Sequence, residues 1–98
     1  MARVLVTPEA VAALERLIVT HSLPADTRER FRRSIKPLEA FPRLGRELEG
    51  GGYAGLRFVL GPWRWMVIVY EYDEAGDALG VLTVQDARSS TAATGFRA

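Results

Sequence analysis

The chain of 98 residues contains no cysteine, and histidine and lysine occur once each, as His21 and Lys36. Without cysteine there are no disulfide frameworks, no thiol catalysis and no thiolate-bound zinc, and an intracellular setting is permitted. His21 falls in the break THSLP with no ligand set beside it, and it reads as an ordinary surface residue; neither a metal nor a cofactor is expected. No apolar run approaches the roughly 18 residues of a membrane span, and MARVLVTPEA lacks the h-region of a signal peptide. The expectation is a cytoplasmic protein with no membrane contact. The signatures GxSxG, HExxH, CxxC and GxGxxG are absent. Gly50-Gly51-Gly52 is followed by a strand pattern and no GK[ST], so it reads as flexible spacing and not as a phosphate loop.

What is present suits a single domain over residues 1–98: 48% of the residues are hydrophobic, enough for one core. The net charge of +1 hides an asymmetry, since Met1 to Arg46 carries +4 and Glu47 to Ala98 carries −3. Twelve of the thirteen cationic side chains are arginine, the residue suited to bidentate contacts with phosphate or carboxylate.

The local signals give the order β-α-α-β-β-β, an α+β fold. Arg3 to Val6 is β-rich, and Thr7-Pro8-Glu9 is a helix start with Thr7 as N-cap. Val11, Leu14, Leu17 and Ile18 mark the apolar stripe of a three-turn helix. Phe31, Ile35 and Leu38 mark a second helix from about Ala25 to Lys36, whose outer face carries Arg28, Arg32, Arg33 and Lys36. That face is either solvated, with Glu29 and Arg33 paired, or turned toward an anion or an acidic partner. A long connection follows, held by Leu38, Phe41 and Leu44.

Leu56 to Leu60 reads as a strand, Trp63 to Asp73 as a central strand apolar on both faces, Glu74 to Asp77 as a hairpin turn, and Leu79 to Gln85 as the returning strand. The residues from about Ser89 read as a weakly ordered tail. Alternation puts Arg64, Met66, Ile68, Tyr70 and Tyr72 on one face of the central strand and Trp63, Trp65, Val67 and Val69 on the other. If the tryptophan face packs on the helices, Arg64 projects onto the open one. The tryptophans are then strand-end packing or a stacking platform for nucleic-acid bases.

Taken together, TPEAVAALERL, a basic second helix, LEAFPRLGRELEGG and GLRFVLGPWRWMVIVYEYDEAGDALGVLTVQDARSS resemble the RelE/ParE superfamily of bacterial type II toxins over Arg3 to about Ser90. The resemblance implies a small curved antiparallel sheet packed on an N-terminal helical hairpin, and a toxin neutralised by a cognate antitoxin. It also implies one of two targets, mRNA on the ribosome, cut by RelE-like members, or DNA gyrase, poisoned by ParE-like members; a toxin-fold protein that has lost toxicity is the third reading.

On the nuclease reading, Arg57, Arg64 and Arg88 lie at or near the positions where RelE-like enzymes carry catalytic basic residues, and Arg32, Arg33 and Lys36 are candidates to contact RNA. Cleavage through a 2′-hydroxyl needs a base, a cation for the phosphorane charge and an acid. Arginine supplies only the cation, because it stays charged. The sequence departs from the nuclease pattern in having Ser89, Ser90 and Thr91 where a tyrosine or histidine is usual, and no lysine on the sheet. Glu47, Glu49, Tyr70 and Asp86 remain as alternative bases, with nothing in the spacing to select among them.

Overall fold

The computed structural model describes residues 1–48 and 55–88. Gly50 to Gly52, Glu49 and the tail from Ser89 lie outside the described residues. The chain forms β1 (Arg3–Val6), α1 (Pro8–Thr20), α2 (Thr27–Ile35), a 3-10 turn (Lys36–Glu39), β2 (Arg46–Glu47), β3 (Leu56–Leu60), β4 (Met66–Asp73) and β5 (Ala78–Asp86). Among the described residues the strands make one open five-stranded sheet in the order β1-β5-β4-β3-β2. Among the described residues no helix is long and apolar enough to cross a membrane.

The sheet is mixed, not antiparallel throughout. β3 pairs antiparallel with β2 and β4, and β4 antiparallel with β5, but β1 runs parallel to β5. Hairpins account for the antiparallel neighbours, whereas a parallel neighbour requires a long crossover. Here the whole chain between β1 and β5, both helices included, supplies that crossover.

α1 starts as its sequence dictates. Thr7 is extended, its hydroxyl oxygen accepts from the Ala10 N–H at 3.1 Å, and Pro8 occupies the first turn. Ala10, Ala13 and Leu14 are buried against the sheet, and Leu17 and Ile18 of the expected stripe pack partly on the same core; Val11 is the member of that stripe left 47% exposed. Small alanines let the helix approach β5 closely, so the bulky side chain is the one left outside. α2 begins two residues later than expected. The fully buried Thr27 donates its hydroxyl to the Pro24 carbonyl, and after Ile35 the chain tightens into the 3-10 turn that contains Pro37.

The main core lies between the helices and one face of the sheet. Phe31, Ile35 and Leu38 meet Met66, Ile68 and Tyr70 of β4 and Leu79, Val81 and Val84 of β5. Val67 and Val69 face the other way and pack with Leu48 and Phe58. β4 is therefore buried on both faces, as its apolar run implies. The spacing 79, 81, 84 reflects an extra residue in β5: Val69 pairs with Thr83 and Tyr70 with Val81, so Leu82 is a bulge that shifts the alternation.

The expected face assignment around Arg64 is corrected by where β4 begins. The strand starts at Met66, and residues 62–65 form a tight connection in which the Met66 N–H donates to the Trp63 carbonyl at 3.0 Å. Two-residue alternation therefore does not extend back to Trp63. Met66, Ile68 and Tyr70 face the helices, and Trp63 and Trp65 nevertheless pack against that same core from its end.

Candidate functional site

The end of the molecule at which β3 turns into β4 brings together residues from four elements. α1 stops at His21, whose backbone N–H donates to the Leu17 carbonyl, and Ser22 then turns the chain in the left-handed region at φ 50°. This places the His21 ring flat against Trp65, with centroids 4.7 Å apart and planes inclined by 12°. Trp63 lies nearly parallel to Trp65 at 6.0 Å. Arg30, on α2, covers the Trp63 ring at 5.8 Å, and Arg88, just beyond β5, covers Trp65 at 4.9 Å.

Asp86 is the hub of the polar side of this stack. Its carboxylate accepts from His21 Nε2 at 2.9 Å and from both Nε and Nη2 of Arg88, at 3.0 and 2.9 Å. The backbone N–H of Arg88 adds a further bond at 2.8 Å. The Arg88 guanidinium holds this carboxyl well below the usual carboxylate range, with help from the Arg88 N–H and His21 and against the opposing effect of burial. An ionised Asp86 only accepts, so His21 presents an N–H at Nε2. Its Nδ1 is screened from solvent and has no hydrogen-bond partner among the described residues.

Arg64 sits in the same connection as the tryptophans, exposed, and among the described residues it makes no ion pair. It borders an open groove with Leu44, Gly45, Arg46 and the outer end of β3, Phe58 to Leu60. Arg64 and Arg88 thus belong to one end of the sheet.

Arg57 does not join them. It lies three residues before Leu60 in β3, roughly 10 Å away at the rise of a strand, and its register partner is Tyr70. Its guanidinium donates to the carbonyls of Gly45 at 2.8 Å and Arg43 at 3.3 Å, with Glu47 at 3.9 Å. In the free chain, Arg57 ties down the connection before β2.

Tyr70 is fully buried. Its hydroxyl accepts from the Gly45 N–H and donates to the Pro42 carbonyl, both at 2.8 Å, and burial pushes its phenol up. These engagements remove it from the candidate bases. Glu47 stands exposed on the edge strand β2.

On α2, Arg32 and Arg33 are exposed, and Lys36 at the following turn pairs with Glu39 at 3.3 Å. The helix is neutralised differently from the anticipated Glu29–Arg33 pair. Arg28 reaches across to Glu15 of α1, and Arg30 pairs with Asp26 at 2.9 Å. Arg32 also lines an apolar cleft with Val6, Val11, Leu14 and Phe31.

His21 is the residue that sequence reasoning passed over. It is not a free surface side chain but a half-buried partner of Asp86. The two lie 65 positions apart, so no local spacing connects them. The only available signal was the coincidence of a helix C-terminus and a strand end carrying complementary polar residues. Among the described residues no group of three or more histidine or acidic side chains is placed to hold a metal ion.

No protein-family model matches the chain, and a search of curated proteins finds no match to it.

Proposed function

We propose that this chain is the toxin of a bacterial type II toxin–antitoxin pair, a RelE-like member of the RelE/ParE superfamily that acts in the cytoplasm by cleaving mRNA on the ribosome. The observation that carries the reading is the stacked group Trp63, Trp65 and His21 flanked by Arg30 and Arg88, with the exposed Arg64 in the same connection. Aromatic rings beside guanidinium groups are the chemistry that single-stranded nucleic acid uses, the rings for bases and the cations for the backbone. The β-α-α-β order and the helical pair on one sheet face support the superfamily reading, in which the sheet is the curved toxin sheet.

In this reading Arg64 and Arg88 hold the scissile phosphate and balance the charge that develops on it. Arg57 supports that surface from the neighbouring strand, and Arg32, Arg33 and Lys36 meet RNA phosphates further out. His21 is the imidazole available at this end for moving the 2′-hydroxyl proton. Its Nδ1 is screened in the free chain, so that side of the ring has to be uncovered when RNA arrives, while Nε2 keeps its bond to Asp86. An antitoxin that covers this end neutralises the toxin.

A second reading is favoured by one observation: Tyr70 and Arg57 are both committed to the connection at Pro42 to Gly45. A ParE-like gyrase inhibitor, which needs no proton-transfer residue, is compatible with that.

Purified protein added to translating ribosomes separates the two. The nuclease reading expects cut mRNA and its loss in Arg64→Ala and Arg88→Ala, both still folded. Intact mRNA together with blocked gyrase supercoiling selects the second reading, and neither activity removes both.

A further inference from the structure

Arg88 already grips an anion. Its Nε and Nη2 meet the two oxygens of Asp86 in the side-on, two-bond arrangement that a guanidinium also makes with two phosphate oxygens. The arginine side chain is 62% exposed, the aspartate only 17%. The cation is thus open to an incoming ligand while its present partner is anchored in the protein.

That anchoring is independent of the guanidinium. Asp86 keeps His21 Nε2 on one oxygen and the Arg88 backbone N–H on the other when the guanidinium leaves. The Trp65 ring gives the guanidinium a surface to lie on, which limits the swing between partners. The guanidinium side of the pair faces solvent, where an incoming anion can reach it and exchange with the carboxylate. Arg64, the residue before Trp65, is exposed and without an ion pair among the described residues, and adds to the positive charge at this end of the sheet.

We propose that Asp86 is a built-in counter-ion filling a phosphate site on Arg88, and that a phosphodiester of single-stranded RNA enters by displacing the carboxylate, which stays with His21. The inference rests on the RNA reading for the identity of the ligand. The exchange itself rests on the geometry of Asp86, Arg88 and His21. In the free chain the site is self-neutralised, and contact with RNA releases the guanidinium.

The test is binding of a short, 2′-O-methylated single-stranded RNA, which cannot be cleaved, to the full chain and to Asp86→Asn, Arg88→Ala and the double variant. Melting curves confirm that each is folded. Asp86→Asn should bind about threefold to fivefold more tightly. The fall of log affinity with log salt should steepen by up to about 0.7, because the Asp86 carboxylate no longer offsets the phosphate contact that Arg88 makes in both proteins. In the Arg88→Ala background the Asp86→Asn gain should vanish.

A gain that persists without Arg88 is a general charge effect and overturns the proposal, as does no gain at all. In the unaltered chain the Arg88 Nε–H resonance should shift on RNA addition; an unmoved signal on a bound complex also overturns it. If no variant binds RNA, the RNA reading fails, and inorganic phosphate becomes the probe. An Arg88-dependent gain for phosphate in Asp86→Asn then preserves the exchange, and its absence ends it.

Discussion

The hydroxyl of Tyr70 and the backbone N–H of Gly45 meet at 2.8 Å across 25 residues of chain, and the same hydroxyl donates to the Pro42 carbonyl. The central strand is thereby bolted to the connection that leads into β2. Glycine is required at position 45 because a Cβ there would lie 2.6 Å from both the Phe58 carbonyl and the Tyr70 hydroxyl.

Replacing Tyr70 with phenylalanine keeps the ring but leaves a buried N–H and a carbonyl unpaired. The expected loss is about 1–3 kcal/mol of unfolding free energy, measured by urea titration. The pH dependence has a definite sign. Burial raises the phenol's pKa, so the folded chain holds its proton more firmly. That contribution is complete below about pH 10, the unfolded value, and is lost as pH rises through the folded one. The variant should lose stability less steeply in alkali. Tyr72, whose hydroxyl donates to Asp77, is raised too and acts in the same direction in both proteins.

Arg57 and Arg64 should separate cleanly in stability. Arg57→Ala removes charge-assisted bonds to the Gly45 and Arg43 carbonyls and should cost about 1–2 kcal/mol. Arg64 is exposed, so Arg64→Ala should stay within about 0.5 kcal/mol of the parent. Equal melting temperatures for the two variants would contradict the supporting role of Arg57.

Asp86 sets an acid limb. Its folded-state pKa is depressed, chiefly by Arg88, so its contribution is complete above the unfolded value of about 3.9 and is lost as pH falls through the lower folded value. The melting-temperature gap between the parent and Asp86→Asn should be constant from neutral pH to about pH 5, then narrow as acid is added. A gap that widens in acid would reverse the sign.

The locally coded parts of the fold were legible in the sequence. The Thr7-Pro8 helix start, the Glu74–Asp77 turn and the limits of β3 depend on neighbours within four residues, and the structure has them where the sequence places them. What was not legible depends on partners far along the chain. β2 is two residues long and exists only through its pairing with β3. The parallel β1–β5 pair and the Leu82 bulge are settled by tertiary register. The same division runs through this end of the molecule: the placement of Arg64 and Arg88 near strand ends was legible in the sequence, while the His21–Asp86 bond joins a helix end to a strand end. Alternation failed at Trp63 and Trp65 because the chain there is a turn, and a turn does not alternate.

Thr7 does two jobs at the start of α1, and its removal tests how the helix is tied to the sheet. Its hydroxyl oxygen accepts from the Ala10 N–H, and its hydroxyl hydrogen goes to the Val81 carbonyl at 2.8 Å, while its backbone N–H also donates to that carbonyl at 3.1 Å. Thr7→Ala loses the cap and one of the two ties. A cap alone is worth about 1 kcal/mol, so about 1–2 kcal/mol is expected for both. Thr7→Ser keeps both hydroxyl contacts and should recover most of that loss. Amide exchange localises the effect: Pro8 has no N–H, so the first protected amides of α1, through Val11, should open more readily in Thr7→Ala, with those of α2 unchanged. Uniform loosening of both helices would mean that the hydroxyl supports the whole core and not the start of one helix.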